Sequence, residues 1–527
     1  MRKFGKSLIA VGTAAVLLCT GCSSVEQPEG DEDIFANLMS TEEATEETTE
    51  VTTTVVTYDE VILEVPEITQ EEVSIVLEAE DVSIPEYCAI AVQPRLGYSG
   101  TGYLSGISAY NGTILRLETE IPATQHYDIT IVAGCSAECT CEIEANGETI
   151  YTLEMDEVDN FMSITIQGIF LQEGECTFSI EPTDGVIDVD CLEIVNNTSL
   201  YDEESAISES PVDPDASDGA VELYQFLTSQ YGSKIISGQY VSSSDNTELE
   251  EIYLTTGKYP LIRFADVGAY TDGDTENATA VEDSLAWAEE GGVVGLIWTW
   301  NAPSGTEDVL AENTDFSLAD AVTEEDVATC TLSELQYMLQ AGTITEECYD
   351  LICDIDTIAE ALEPLAEADV PVLWRPLMEA GGEWYWWGAS GADAYIWLWD
   401  LLYTRMTEYH DLHNLLWVWN GQSESYLVDT DEFDIASLDL YVDETEEEFG
   451  SRYEQYVALS NMVSGKMFAM SECSTFPDIN AMFRDNAVWS FFGLWYDTYF
   501  EAAFEDTENL ISVYNSEAVL TREDYTP

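Results

Sequence analysis

The chain has 527 residues, and its 14 Lys and Arg stand against 105 Asp and Glu, a formal charge of −91. Such a field repels phosphate backbones and anionic lipid head groups, which excludes nucleic acid as a partner and favours a neutral ligand. Aromatic residues make up 11% of the chain; their flat apolar faces can stack on sugar rings, so carbohydrate is the first ligand class to consider, although acidity also serves solubility alone.

The N-terminus, MRKFGKSLIAVGTAAVLLCTGCSS, places Arg2, Lys3 and Lys6 ahead of an apolar stretch too short to span a bilayer comfortably, the pattern of an export signal. Its end, LCTGC, resembles a bacterial lipoprotein box, with Cys19 where Leu is more usual. That resemblance implies a signal peptide over 1–22, lipidation of Cys22, and a location on the outer face of a bacterial cell membrane, touched only through that lipid. A plain secretory signal is the alternative. Residues 23–60 carry acids and threonines with little to bury, and read as a solvated, self-repelling tether.

Over 61–196 short alternating segments such as YDITIVAG, CEIEANGETIYTLEM and SITIQGIFL, separated by Gly and Asn, predict a β-sandwich. Cys135, Cys139 and Cys141 in this region lack the paired spacing of zinc sites, and no disulfide pairing follows from the sequence. Residues 197–218 read as a second linker. From 219 to 527, apolar runs (YPLIRFADV, VVGLIWTW, VPVLWRPLM, LLWVWN, DIASLDLY, KMFAMSE) alternate with helical patterns such as EECYDLICDIDTIAEALEPLAEA. Repeated βα units over about 300 residues predict an α/β fold, a (β/α)8 TIM barrel. A doubly wound sheet is second, and no G-x-G-x-x-G follows the first run to favour it.

In a parallel barrel, reactive groups sit where strands give way to loops on the C-terminal face. Glu379 and Glu472 both stand at such run ends, and two carboxyls on different strands can flank one glycosidic bond, one as acid and the other as nucleophile. Strand-end glutamates also arise by chance in so acidic a chain. The stretch RPLMEAGGEWYWWG resembles the R-P-x-H-E-x-x-G-x-W-x-W-W-G signature of glycoside hydrolase family 26, whose best-known members are β-mannanases. SGQY, TGKYP, WTWNAP, DIDTIAEALEPL, LLWVWN, LDLY, AMSE and the final VYNSEAVLTREDYTP follow in register. The resemblance implies an endo-acting, configuration-retaining hydrolase of mannan, glucomannan or galactomannan, with Glu379 on strand four as acid/base and Glu472 on strand seven as nucleophile. No cofactor is implied for catalysis, and a monomer is expected.

Arg375 is a cation in an apolar strand, costly unless a carboxylate meets it; Glu472 is one candidate and another acid at the mouth is the alternative. Tyr441 resembles the family tyrosine that contacts the nucleophile. Trp384 stands at the family's sugar-stacking position, and Trp300, Trp298 and Trp495 are further platform candidates or ordinary core. Met378 and Thr299 fall where the family commonly has His, and His126, His410 and His413 lie outside these motifs. A thioether is a weak acceptor, so Gln239 or Asn301 would have to supply the missing donors; otherwise a β-glucan or xylan is the substrate. A non-catalytic polysaccharide-binding lipoprotein is the alternative from another class.

The front region, with EAED, GYSGTGY and IDVDCLEI in order, resembles carbohydrate-binding modules of families 35 and 6. That resemblance implies a jelly roll with a structural calcium near Glu78, Glu80 and Asp190. Tyr98, Tyr103 and Tyr110 are open between packing and ligand contact.

Overall fold

The computed structural model describes residues 57–198, 207–242, 246–272, 278–303, 306, 308–442 and 449–525. The expected signal 1–22 with Cys22, the tether up to residue 56 and residues 199–206 of the second linker lie outside the described residues.

Residues 74–196 form two antiparallel sheets of six and four strands. Burial alternates along Cys139–Ala145, as a strand with one face inward requires. That strand returns as Glu148–Met155 through Asn146 and Gly147, both at positive φ (56° and 87°), the backbone of a tight two-residue hairpin turn. Leu104, Ile131 and Leu192 from one sheet and Leu117, Ile143 and Phe178 from the other share one apolar core. Cys135, Cys139 and Cys141 are free thiols buried in that core.

The second half is a closed ring of eight parallel strands: Ile235–Tyr240, Ile262–Asp266, Val293–Ile297, Val372–Arg375, Leu415–Trp419, Ile435–Leu440, Met467–Cys473 and Phe491–Leu494. The last strand pairs with the first, and the first with the second. Both faces of these strands are covered, so Val293–Ile297 and Leu415–Trp419 are apolar and buried at every position. Two strands are not legible as apolar runs: Ile235–Tyr240 is interrupted by Ser237, Gly238 and Gln239, and Phe491–Leu494 has only four residues. The outer layer is helical. In Glu346–Glu367 the buried Cys348, Leu351, Ile352, Ile355, Ile358, Ala359, Leu362 and Leu365 recur at three- and four-residue intervals, and Thr345 caps the first turn by accepting from the Cys348 N–H.

Residues 61–64, expected at the start of the front domain, lie instead on the barrel. Val61 N–H donates to Asn515 O (2.8 Å), Glu517 N–H to Val61 O (2.9 Å) and Leu63 N–H to Glu517 Oε1 (2.8 Å). Val61 and Leu63 are half-buried, Leu63 against the barrel core, and the stretch gains a fixed course because its backbone groups find partners there. Tyr453 of the barrel donates its hydroxyl to Gln167 O of the front sheets (2.7 Å).

Candidate active site

The fourth strand delivers Arg375 to the barrel mouth, and the loop after it delivers Glu379. Leu377, Glu379 and Glu383 all sit at positive φ (51°, 53° and 60°), a conformation that costs a side-chain-bearing residue on the order of 1 kcal/mol each. The surroundings compensate. Glu379 N–H donates to Asn420 O (2.8 Å) and Oδ1 (3.0 Å), and Gly381 N–H to Gly421 O (2.9 Å), zipping this loop to the one after strand five. Trp387 Nε1 donates to Met378 O (2.8 Å) and Trp386 Nε1 to Trp300 O (2.7 Å). Gly388 lets the chain close, since a Cβ there would stand 2.2 Å from Ala380 O. Two of the three indoles in EWYWWG are therefore buried clamps, and only Trp384 is open, at 45% exposure.

The sixth and seventh strands bring two more carboxyls. Leu438 pairs with Met470 and Asp439 with Glu472, so Ser471 is the extra residue of a bulge. A bulge re-aims the side chain that follows it. Here it turns Glu472 toward Arg375 and leaves Ser471 Oγ to donate to Asp439 Oδ1 (2.7 Å).

Arg375 Nη1 donates to both oxygens of Asp439 (2.9 Å each) and Nη2 to Glu472 Oε1; Tyr441 donates its hydroxyl to Glu472 Oε2 (2.6 Å). The two sequence-level partners for Arg375 are thus both present. Glu379 accepts from Trp384 Nε1 at Oε2 (3.1 Å) and from Gln422 Nε2 at Oε1 (3.4 Å). Asn420 is the buried hub: its Oδ1 accepts from the Glu379 N–H and Arg375 Nη1, while its amide donates to Ser437 Oγ (3.2 Å) and Ser471 Oγ (3.0 Å).

One guanidinium bonds two of three clustered carboxyl groups, Asp439 and Glu472, and like charges so close favour keeping a proton among them. Burial, then the Asp439 charge, pushes Glu472 up to about 7 against Arg375 and Tyr441. Burial pushes Asp439 to about 7 as well. Glu379 is raised by burial and then by Glu472. The donors to Glu472 are a guanidinium and a phenol, whereas those to Glu379, Trp384 and Gln422, are neutral N–H groups, so the two carboxyls stand in different surroundings.

The structure does not gather every sequence candidate. Trp300 is fully buried, stacked on Trp298 at 3.9 Å and donating to Asp354 Oδ2 (2.8 Å), so it is core and no sugar platform. Gln239 is fully buried too, its amide nitrogen bonded to Tyr240 O (2.8 Å) and Leu494 O (3.1 Å), so it cannot replace a lost histidine donor. Asn301 is half-buried and donates to Asp272 (2.9 Å). Half-buried Trp495 stacks on Tyr496 at 4.8 Å. Met378 is buried, and Thr299 N–H is bonded to Asp266 Oδ1 (2.9 Å). Asp439, Asn420, Gln422 and Ser471 are not among the sequence candidates; the available signal is a polar residue inside or ending an apolar run, Asp439 in LDLY and Asn420 in LLWVWN.

In the front region Glu78, Glu80 and Asp190 converge, with ligand oxygens within 4.8 Å of one another. The GYSGTGY loop wraps them: Ser99 N–H donates to Asp190 (3.0 Å) and Thr101 N–H to Glu80 Oε1 (2.6 Å). Gly100, at φ 56°, makes room, since a Cβ would lie 2.2 Å from Glu80 Oε1. Buried Glu80 Oε2 has no hydrogen-bond partner among the described residues. Tyr103 is buried, whereas Tyr110 is 81% exposed.

The sequence model of glycosyl hydrolase family 26 matches residues 212–524. The chain belongs to that family. It is 33% identical over 458 residues to a mannan endo-1,4-β-mannosidase of Thermothelomyces thermophilus, a match covering 84% of this chain and 89% of the relative. Among solved structures, the Podospora anserina GH26-CBM35 β-(1,4)-mannanase superposes with a TM-score of 0.58 at 30% identity, covering 86% of this chain and 98% of that one. A β-mannanase from a symbiotic protist of the termite Reticulitermes speratus, complexed with gluco-manno-oligosaccharide, superposes with a TM-score of 0.55 at 26% identity, covering 62% of this chain and 99% of that one. As a member of family 26 the chain is a glycoside hydrolase, and the barrel is the part the family model covers.

Proposed function

We propose that this family 26 enzyme cleaves β-1,4-mannan, glucomannan or galactomannan internally and with retention of configuration. The observation that carries the reading is the joining of Glu379 and Glu472 through one network: Gln422 bonds both Glu379 and Asp439, and Arg375 bonds both Asp439 and Glu472. In the first step Glu472 attacks the anomeric carbon while Glu379 protonates the departing oxygen, leaving a glycosyl ester on Glu472. Arg375 and Tyr441 aim the Glu472 carboxylate and favour its ionised form against the burial that raises it. In the second step Glu379, now ionised, takes a proton from water as it attacks the ester, and both carboxyls return to their starting states. Trp384 offers the stacking face beside the acid, and the relatives' activities supply the mannan assignment.

For the front sheets the reading is a carbohydrate-binding jelly roll. Three convergent carboxylates and a buried oxygen unpartnered among the described residues fit a calcium ion, which takes hard oxygen ligands and would fasten the first strand to the last. Export, a lipid anchor at Cys22 and a monomeric state complete the reading. The test is the release of reducing ends from mannan, mixed-linkage glucan and xylan by the purified ectodomain and by Glu472→Ala. Activity on mannan that is lost in the variant supports it. Binding without cleavage of any polymer contradicts it.

A further inference from the structure

Gln422 lies just past the fifth strand at φ 55°, a backbone state that a glutamine holds only when its surroundings impose it. The imposing contacts are the two backbone bonds that zip 420–421 to 379–381, Glu379 N–H to Asn420 O and Gly381 N–H to Gly421 O. They turn the amide inward. Its Nε2 stands 3.4 Å from Glu379 Oε1, 3.1 Å from Asp439 Oδ2 and 3.4 Å from Asn420 Oδ1. We propose that Gln422 is a positioning residue for the acid/base: its amide, donating to both the Glu379 and the Asp439 carboxyl groups, ties one to the other and fixes the angle from which Glu379 reaches the leaving oxygen. This rests on the acid/base role given to Glu379 above.

The groups facing Glu379 are Arg375 on strand four, Asp439 on strand six, Glu472 on strand seven, Gln422 after strand five, and Trp384 and Tyr385 on its own loop. Only Arg375 among them is cationic. An N–H donor favours an ionised carboxylate, so losing it makes Glu379 keep its proton to higher pH. The first step needs Glu379 protonated, and the basic limb of kcat/KM must then move upward.

The experiment measures kcat and KM on mannan against pH for the wild type, Gln422→Leu and the isosteric Gln422→Glu, which preserves side-chain volume should the leucine variant fold poorly. The wild type is also assayed on a dinitrophenyl β-mannobioside, whose leaving group needs no protonation. The expected result is a basic limb raised by about one pH unit in Gln422→Leu and further in Gln422→Glu. In both, kcat falls about tenfold while KM stays within about twofold. A basic limb unmoved in both variants overturns the proposal, as does a rise in KM alone, which would make Gln422 a sugar ligand. Disappearance of the wild-type basic limb on the aryl substrate supports the acid/base reading by itself. Its persistence there would overturn that reading and the proposal with it.

Discussion

Arg375 Nη2 hydrogen bonds Glu472 Oε1, linking strand four to strand seven across the barrel mouth, while Nη1 of the same guanidinium holds both oxygens of Asp439. A lysine carries the same charge but cannot fork between two carboxylates. Arg375→Lys should therefore lower kcat by about 100-fold or more and destabilise the fold, because breaking a buried pair costs about 3–5 kcal/mol. Steady-state kinetics with thermal unfolding of the same sample checks both halves.

The pH profile follows from the raised carboxyls. Glu472 must be ionised to attack, so activity falls as pH drops through its value of about 7. The acid limb should stand well above the ~4.3 of a free glutamate. Tyr441→Phe removes an O–H donor that favours the ionised form, so that limb should move to still higher pH. Measuring kcat/KM against pH for both proteins is sufficient.

Stability carries the opposite sign. A carboxyl with a folded value near 7 and an unfolded value near ~4.3 keeps its proton longer in the folded state. Stability therefore falls as pH rises through that window. Glu472→Gln cannot ionise and escapes this loss, so its Tm relative to wild type should climb between pH 5 and pH 8. A difference that stays flat across that range would contradict the shift.

Trp384 has two separable roles, an exposed ring and an N–H bonded to Glu379 Oε2 at 3.1 Å. Trp384→Phe keeps an aromatic face and loses the donor, and should lower kcat more than it raises KM. Trp384→Ala loses both and should also raise KM about tenfold, the equivalent of one lost stacking contact of ~1 kcal/mol or more. Kinetics on manno-oligosaccharides separates the two.

Calcium bound only to the folded front sheets would stabilise them, by about 2.7 kcal/mol at a hundredfold excess over its Kd. Chelation should lower the Tm of that transition, and Glu80→Gln should abolish the difference. Cleavage of short oligosaccharides should be unchanged in both cases.

Much of this architecture is legible in sequence because barrel strands buried on both faces are continuous apolar runs, and because a charge ending such a run has little place to be except the mouth. Glu379 and Glu472 could be found that way and Arg375 as a cation within such a run, whereas Trp384 stands out only through its place in the family signature. Trp300 and Gln239 could not be sorted, since a tryptophan or amide at a strand end looks the same whether it turns into the core or the cleft. The bulge at Ser471 is invisible in a one-dimensional pattern, and with it the pairing of Asp439 with Glu472. Asn420 and Gln422 act through contacts with residues 17 to 51 positions away, which no local spacing displays.

The central claim is that the carboxyl of residue 472 becomes covalently bonded to sugar. Incubation with a 2-deoxy-2-fluoro-mannobiosyl fluoride, which slows release of the intermediate, followed by peptide mass spectrometry, tests it most directly. The account predicts one glycosyl adduct, on the peptide containing Glu472, absent from Glu472→Ala. An adduct on another carboxylate, or turnover with no adduct and an inverted product, would contradict it.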